Sequence, residues 1–210
     1  SATKGIFIVA STVMYYNTAM KTINVAVIGL GYWGPNLVRN FLKIAGVKVG
    51  YGCDMEEKRL NDIKSSYPFI TTTKRYTDIL RDKTVDLVAV ATPVSTHHQL
   101  AKDALQAGKH VLVEKPITRT SQQAKELIAL ARDKKRLLFV EHTFVYSEAV
   151  QKIKQLIEKR QLGKIFYYDS TRVNLGLLQP DVNVIWDLAP HDMAILNYLF
   201  DERPVSLQAF

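Results

Sequence analysis

The stretch over residues 25–34, Val-Ala-Val-Ile-Gly-Leu-Gly-Tyr-Trp-Gly, constrains the fold of this 210-residue chain more than any other. Its apolar residues predict a strand buried on both faces, as in a parallel sheet. Gly29 predicts a tight turn, Gly31 a close approach of the backbone to a pyrophosphate, and Gly34 a helix packed near the sheet. The amides that open such a helix, at the positive end of its dipole, favour a bound phosphate. The stretch therefore predicts a turn that binds a dinucleotide.

The residues after this turn agree with the prediction. A helical pattern follows, and a second apolar strand over 47–53 ends at Asp54. A carboxylate about twenty residues past the last glycine is placed to accept hydrogen bonds from the ribose hydroxyls of NAD. With Glu56 and Glu57 behind it, Asp54 favours NAD over NADP because its charge repels a 2′-phosphate. The alternative is that Asp54 only caps the helix that follows.

Strands and helices alternate along the first two thirds of the chain. Further strands are expected over 68–72, 86–91, 110–113 and 137–140, and helices over 56–65, 77–81, 96–107 and 121–133. This alternation predicts an α/β fold, a Rossmann doubly wound parallel sheet with right-handed crossovers. In such sheets ligands bind beyond the carboxyl ends of the strands. We therefore assign residues 22–144 to an NAD-binding Rossmann domain.

The pattern changes in the last third of the chain. Helices are expected over 147–161 and 186–200, and a strand is expected over 205–210. Polar and apolar residues over 164–174 alternate with period two, which is typical of an antiparallel strand with one face on a core. We therefore predict that residues 145–210 begin an α+β domain with an antiparallel sheet, which serves substrate binding and oligomerisation and is incomplete here.

The composition narrows the class of protein. The hydrophobic content of 47% is ample for a core, and the single cysteine excludes a disulfide framework and a cysteine-based zinc site. A reducing, cytoplasmic setting fits. The net charge of +8 suits an anionic ligand. No basic stripe with interleaved aromatic residues points to a nucleic acid. No metal site is expected, because the histidines at 97, 98, 142 and 191 lie on separate predicted elements.

Residues 1–21 do not match the rest of the chain. Their apolar stretch is too short to span a membrane, so no membrane partner is expected. A faint likeness to a signal peptide remains as an alternative. We interpret this segment as a leader or an artefactual extension and leave it out of the fold prediction.

Three residues are candidates for chemistry. Asp187 and His191 are four apart in a predicted helix, so both face one side, where a carboxylate can orient an imidazole as a general base. Lys115 follows a predicted strand, where an ammonium group can polarise a substrate oxygen. The alternative for all three is an ordinary position at the surface.

Four motifs together resemble the Gfo/Idh/MocA family, the oxidoreductases related to glucose–fructose oxidoreductase and inositol dehydrogenase. They are Gly-Leu-Gly-Tyr-Trp-Gly at 29–34, Ala-Thr-Pro at 91–93 with His97, Glu-Lys-Pro at 114–116, and Trp-Asp-Leu-Ala-Pro-His at 186–191. The resemblance runs from about residue 23 to residue 210, in the family's order.

The resemblance implies roles for individual residues. Lys115 would contact the reacting hydroxyl, His191 would take its proton, and Asp187 would bind a neighbouring hydroxyl or orient His191. Arg172 and Asn174 would meet the sugar or its diphosphate, or else face solvent. The implied contacts to NAD come from Gly29, Gly31, Tyr32, Trp33, Gly34, Asp54, Thr92, Pro93, His97, Glu114 and Lys115.

Within the family, the motifs at 141–144, 170–176 and 187–192 look most like the nucleotide-sugar 3-dehydrogenases. This likeness implies an NAD-dependent enzyme that oxidises the 3-hydroxyl of a UDP-linked N-acetyl sugar or its uronic acid. The full-length form is expected to be a homo-oligomer. Two alternatives stay open, a truncated NAD-binding module without catalysis and a dehydrogenase of a free polyol such as inositol.

Overall fold

The computed structural model describes residues 22–173, 183–200, 202 and 204–208. Its strands are β1 (Ile23–Ile28), β2 (Val47–Cys53), β3 (Thr71–Thr73), β4 (Leu87–Val90), β5 (His110–Glu114) and β6 (Leu138–Glu141). Its helices are α1 (Gly34–Phe41), α2 (Glu57–Ser66), α3 (Tyr76–Arg81), α4 (Val94–Gln106), α5 (Ser121–Asp133), α6 (Glu148–Glu158) and α7 (Val184–Leu199). A short 3-10 helix covers Thr143–Tyr146.

The strands form one parallel sheet in the order β3-β2-β1-β4-β5-β6. The order reverses between β1 and β4, so a crevice opens at the carboxyl ends of these two strands. The predicted Rossmann sheet is confirmed. The carboxyl ends of β1, β4, β5 and β6 carry the glycine turn and the motifs that begin at residues 91, 114 and 141.

Both faces of the sheet are buried, as the apolar strands predict. Val25 and Val27 of β1 pack in the cluster that contains residues of α1 and α2. Ala26 and Ile28 face the opposite side and pack with residues of α3, α4 and α5. Successive side chains of a strand point to opposite faces. A strand that is apolar at every position can therefore lie only between two layers of helices.

The part of the chain after β6 packs differently. The 3-10 helix, α6 and α7 contact one another. The Tyr198 hydroxyl of α7 donates to Gln151 Oε1 of α6 at 2.7 Å. Val150 and Leu199 are buried in this part. None of the described helices is both long enough and apolar enough to cross a membrane.

The predicted strand over 164–174 is wrong for the residues that the structure describes. Residues 164–173 form no strand, and Asn174 lies outside the described residues. A strand exists only when a neighbour completes its backbone hydrogen bonds. In the described part of the chain, only the six strands of the parallel sheet are paired with one another. Alternation in sequence therefore predicted a strand for which the described residues supply no partner.

Two other predictions concern the ends of the chain. Residues 205–208 form no strand, and the rest of the strand predicted over 205–210 lies outside the described residues. The segment 1–21, predicted as a leader or an extension, also lies outside them.

Candidate active site

The glycine turn after β1 has two glycines that the fold requires. Gly29 has a φ of 91°, in the left-handed region, and a Cβ there would overlap the Ala91 carbonyl group. A Cβ on Gly34 would overlap the Gly29 carbonyl oxygen. Side chains at either position are excluded because backbone atoms already fill the space. These two glycines let β1 turn tightly and let α1 pack close to the turn, as predicted.

Gly31 is different, because its outer side is open. A Cβ there would meet only the end of the Arg59 side chain, at 3.6 Å from Nη1. Tyr32 and Trp33 follow it, both exposed, with ring centroids 5.2 Å apart in an edge-to-face contact. The turn thus leaves a bare backbone in front of the first turn of α1, where a phosphate can approach the amides.

Asp54 is fixed against this turn. Its Oδ2 accepts a hydrogen bond from the Leu30 amide at 2.7 Å, and its Oδ1 accepts one from the Glu56 amide at 2.9 Å. The second bond lies before α2, whose N-cap is Glu56 and has no side-chain capping bond, so the capping interpretation of Asp54 is wrong. A carboxylate has about four acceptor positions. Asp54 therefore keeps capacity for a ribose hydroxyl while it is held beside the glycine turn.

Arg59 is a residue that the sequence analysis missed. Its Nε lies 2.8 Å from Glu56 Oε2, and its Nη1 lies 3.4 Å from Asp54 Oδ2. The guanidinium group therefore stands beside both the carboxylate and the open side of Gly31. Its position five residues after Asp54, on the first turns of α2, was the available signal.

His97 lies beneath the rim of the crevice. Its Nε2 is 2.7 Å from the Thr92 carbonyl oxygen, and its Nδ1 is 2.9 Å from the Pro116 carbonyl oxygen. The ring is buried, so it ties the loop after β4 to the loop after β5. Thr92 is half-buried and Pro93 is exposed on the rim itself. A direct contact of His97 with NAD, which we predicted, would have to displace one of these two bonds.

Lys115 and Asp187 form an ion pair. Lys115 Nζ lies 2.8 Å from Asp187 Oδ1 and donates also to the Asp187 carbonyl oxygen at 2.8 Å. Both side chains are mostly buried. The pair joins the end of β5 to the first turns of α7, so the structure brings together two of the predicted catalytic residues that are 72 positions apart.

His191 lies one turn further along α7, but Asp187 gives its carboxylate to Lys115. The predicted orientation of His191 by Asp187 has no hydrogen bond to support it among the described residues. The His191 ring instead packs edge-to-face on Phe144, with centroids 4.7 Å apart. Burial and the nearby cations Lys115 and Arg172 lower the pKa of His191 to about 4, with a further contribution from His142. His191 is therefore neutral at neutral pH and can accept a proton.

Arg172 reaches the same place from the segment before α7. Its Nε donates to Asp192 Oδ2 at 2.8 Å, and its guanidinium carbon lies 5.0 Å from the centroid of the Phe144 ring. Ser170 Oγ donates to the other oxygen of Asp192 at 2.7 Å. Although burial opposes it, these bonds lower the pKa of Asp192. Asp192, next to His191 in the chain, was not predicted as a site residue. Asn174 lies outside the described residues.

Glu114 and Glu141 face each other across the ends of β5 and β6. Glu114 is buried, and this burial, with the Glu141 carboxylate beside it, raises the pKa of Glu114 to about 7. The Lys115 ammonium partly opposes the shift. Glu114, which the resemblance implies as a contact to NAD, therefore exchanges a proton near neutral pH.

A cleft of about 460 Å³ lies where α4, α5 and α7 meet the loop after Pro116. Its wall includes Arg119, Gln123 and Trp186. None of these residues has a role predicted from the sequence, although Trp186 belongs to the motif at 186–191. Among residues 22–173, 183–200, 202 and 204–208, no three histidine, cysteine or carboxylate side chains are grouped to hold a metal ion.

The geometry fits NAD. The open side of Gly31 and the start of α1 can take the pyrophosphate, and Asp54 can take a ribose. Thr92 and Pro93 on the rim lead from there towards Lys115. The residues that can hold the cofactor and the candidate catalytic residue Lys115 therefore lie at the same edge of the sheet, at the carboxyl ends of the strands.

Comparisons with known proteins agree with this geometry. The Gfo/Idh/MocA family model, described as an oxidoreductase family with an NAD-binding Rossmann fold, matches residues 23–142. The uncharacterized oxidoreductase YdgJ of Escherichia coli is 36% identical over 147 residues, which are 63% of this chain and 42% of that protein. The UDP-N-acetylglucosamine 3-dehydrogenase of Acidithiobacillus ferrooxidans is 34% identical over 128 residues, 60% of this chain and 39% of that protein.

The fold is also found among solved structures. The crystal structure of GenD2 from gentamicin A biosynthesis, in complex with NAD, has a TM-score of 0.73 over 87% of this chain and 55% of that chain. At 24% identity this likeness shows the fold alone. The chain spans about half the length of the curated relatives it matches. Since the family model covers more than half of the chain, from β1 to the end of β6, the chain belongs to the Gfo/Idh/MocA family of NAD-binding oxidoreductases.

Proposed function

We propose that the protein is an NAD-dependent dehydrogenase that oxidises a secondary hydroxyl of a sugar. The observation that carries this proposal is the Lys115–Asp187 ion pair beside the neutral imidazole of His191, at the carboxyl edge of an NAD-binding sheet. This arrangement combines a fixed cation with a proton acceptor, which are the two groups that oxidation of an alcohol needs from a protein.

Lys115 would hold the reacting hydroxyl. Its ammonium has three donors, and two of them point at Asp187. The third is left for a substrate oxygen. A positive charge held there stabilises the negative charge that develops on this oxygen as its proton leaves. Asp187 is thus a positioning residue, because it aims the ammonium.

His191 would take the proton of that hydroxyl. Burial and the surrounding cations keep its ring neutral, so a lone pair is available at neutral pH. The O–H bond breaks towards His191, and the carbon is oxidised to a carbonyl. When bound, NAD supplies the ring carbon that accepts the hydride lost in this oxidation. The Arg172–Asp192 pair beside Phe144 would shape the wall on which the substrate lies.

The finer part of the proposal concerns the substrate. We propose the 3-hydroxyl of a UDP-linked N-acetyl sugar or its uronic acid. Support comes from the similarity to the enzyme of Acidithiobacillus ferrooxidans, which acts on UDP-N-acetylglucosamine by its name, and from the motifs over 141–144 and 187–192. Arg172 bonds to Asp192 through Nε, and its terminal guanidinium nitrogens could meet an anionic substrate group.

The experiment is a titration of the purified chain with NADH, followed by nicotinamide fluorescence. UDP-N-acetylglucosamine or its uronic acid is then added with NAD, and the absorbance of reduced nicotinamide is recorded. Binding with turnover is expected. Turnover of myo-inositol instead would replace the nucleotide sugar by a free polyol.

Two outcomes would contradict the proposal. Binding of NADH without turnover of any sugar or polyol would leave an NAD-binding module. Absence of NADH binding by a chain that shows a cooperative thermal melt would contradict the role of the glycine turn.

A further inference from the structure

The imidazoles of His142 and His191 share an unusual feature. Among the described residues, three buried side-chain polar atoms have no hydrogen-bond partner, and two of them are the Nδ1 atoms of these histidines. The great majority of buried polar atoms in proteins are paired, because an unpaired one costs free energy. The rings of His142 and His191 are therefore not held by hydrogen bonds on their buried side.

The two rings belong to one cluster around Lys115. Glu114 and Glu141 are partners in the register of β5 and β6, so the next residues, Lys115 and His142, leave neighbouring strands side by side. The Lys115 ammonium also lowers the pKa of both imidazoles, after burial as the larger cause. The His142 imidazole also lowers the pKa of His191. His142 follows β6, Lys115 follows β5, and His191 lies on α7. The His191 ring packs on Phe144, two residues after His142. Three elements therefore bring these three residues to the same part of the site.

The open edge of each ring is the Nε2 edge. Only the Nδ1 atoms of the two rings are both buried and unpaired. Neither ring makes a hydrogen bond within the described part of the chain, so packing alone holds them. A neutral imidazole offers one donor and one acceptor. Each Nε2 edge can therefore bind a hydrogen-bonding ligand.

We propose that His142 is a second substrate-binding residue, which contacts a hydroxyl on the carbon next to the one that is oxidised. Lys115 and His142 leave adjacent strands, which lie about 4.8 Å apart in a sheet, so the hydroxyls that they contact belong on neighbouring carbon atoms. Lys115 and His191 hold the reacting hydroxyl, and His142 holds its neighbour. The site thus selects a vicinal diol. This inference rests on the proposed function and adds a residue and a substrate feature to it.

The first test compares binding in the presence of NADH, where no turnover is needed. The probes are UDP-N-acetylglucosamine and its analogue that lacks the sugar 4-hydroxyl, and calorimetry gives the affinities. His142→Phe should weaken binding of the complete sugar about tenfold, as expected for one hydrogen bond. The analogue should bind wild type and variant alike. His142→Gln, which keeps a polar group at the position of Nε2, should restore part of the affinity.

The variants carry their own control for folding. His142→Phe replaces an unpaired buried nitrogen by carbon, so its melting temperature should equal or exceed that of the wild type. His98→Phe is the matched control, since His98 on α4 bonds to Glu126 on α5 and its substitution should leave affinity unchanged. Equal affinity of wild type and His142→Phe for the complete sugar would overturn the inference.

A second test does not depend on the nucleotide sugar. Isotope-labelled histidine signals are recorded while the cis vicinal diol of cyclohexane, or cyclohexanol, is added to the chain with NADH. The signals of both His142 and His191 should shift with the diol, and His142 should not shift with the single alcohol. A His142 signal that ignores the diol overturns the inference, whether or not any sugar is oxidised. Absence of oxidation with a shifted His142 signal would instead contradict the proposed function alone.

Discussion

The sheet and the part of the chain after β6 are stabilised in different ways. In the sheet, apolar residues on both faces of the strands are buried beneath helices. After β6, Val150 and Leu199 are buried, whereas Phe166, Tyr167 and Val173 are more than 80% exposed. Polar contacts are prominent in this second region, such as Lys115 to Asp187 and Arg172 to Asp192.

The difference separates two tasks. Burial fixes the sheet, and the sheet supplies the glycine turn and Asp54 for the cofactor. The second region supplies Asp187 and His191 on α7, and the Lys115–Asp187 pair joins it to the sheet. We therefore expect cofactor binding and chemistry to respond to different substitutions.

The largest effect is expected from Lys115→Met. Loss of the ammonium removes the group that stabilises the developing alkoxide, so turnover should fall about a thousandfold. The affinity for NADH should stay within about threefold, because the glycine turn and Asp54 are untouched. Fluorescence titration and a rate assay measure the two quantities. Lys102→Met, at a surface pair with Glu126, is the control. A parallel fall in NADH affinity would show that the two tasks are not separate.

Gly29→Ala and Gly31→Ala should separate the effect of the glycine turn on stability from its effect on NADH binding. At Gly29 the positive φ and the overlap with Ala91 should lower the free energy of unfolding by about 3 kcal/mol or more. At Gly31 the added Cβ meets only the flexible end of the Arg59 side chain, in ordinary van der Waals contact, so stability should change by less than about 0.5 kcal/mol. Gly31→Ala should nevertheless weaken NADH binding, because the methyl group stands where the pyrophosphate approaches. Urea unfolding measures the stability of the two variants, and NADH titration measures their affinity for the cofactor. Equal loss of stability in both variants would contradict this assignment.

Protonation should act on the two regions with opposite sign. The pKa of Glu114 is raised to about 7 in the folded chain. Its protonation therefore contributes stability that is fully present below the ordinary pKa of 4.5 and is lost as pH rises through 7. The pKa of His191, lowered to about 4, means that stability is lost as pH falls from 6.5 through 4. Glu114→Gln should therefore raise stability at pH 8 by about 3 kcal/mol and leave it nearly unchanged at pH 4.

Urea unfolding across this pH range measures the effect. In Glu114→Gln the contribution of Glu114 to the pH dependence is absent and that of His191 remains. The free energy of unfolding should therefore rise steadily from pH 4 to pH 6.5. Glu148→Gln, in an exposed position at the start of α6, should leave the pH dependence as it is. A Glu114→Gln profile parallel to that of the wild type would contradict the raised pKa.

The smallest effect is expected from Asp54→Ser. Loss of the carboxylate removes acceptors for the ribose hydroxyls and one of the two ion-pair partners of Arg59, whose Nη1 can then meet a 2′-phosphate while its Nε stays with Glu56. The ratio of NADPH to NADH affinity should rise about tenfold, or about 1.4 kcal/mol. The double variant with Arg59→Ala should lose this gain. An unchanged ratio in Asp54→Ser would show that Arg59 does not reach the cofactor.

Much of the sheet could be predicted from sequence because its signals are local. An unbroken apolar strand requires helices on both faces, and a glycine requires no knowledge of distant residues to allow a tight turn. The helix over Ser121–Asp133 was predicted with the observed bounds. The site was harder, since Asp187 was paired with His191 by spacing while the structure pairs it with Lys115, 72 residues away.

The sequence by itself determined the Rossmann sheet, the glycine turn and the position of Asp54, since hydrophobic period and backbone sterics act over a few residues. Tertiary structure decided what those residues do together. It tied His97 to two loops, placed Arg59 beside Asp54, brought His142 to Lys115 and left residues 164–173 without a strand partner. Hydrogen bonds, ion pairs and burial between distant segments depend on where the chain brings them in space, and no local pattern records that.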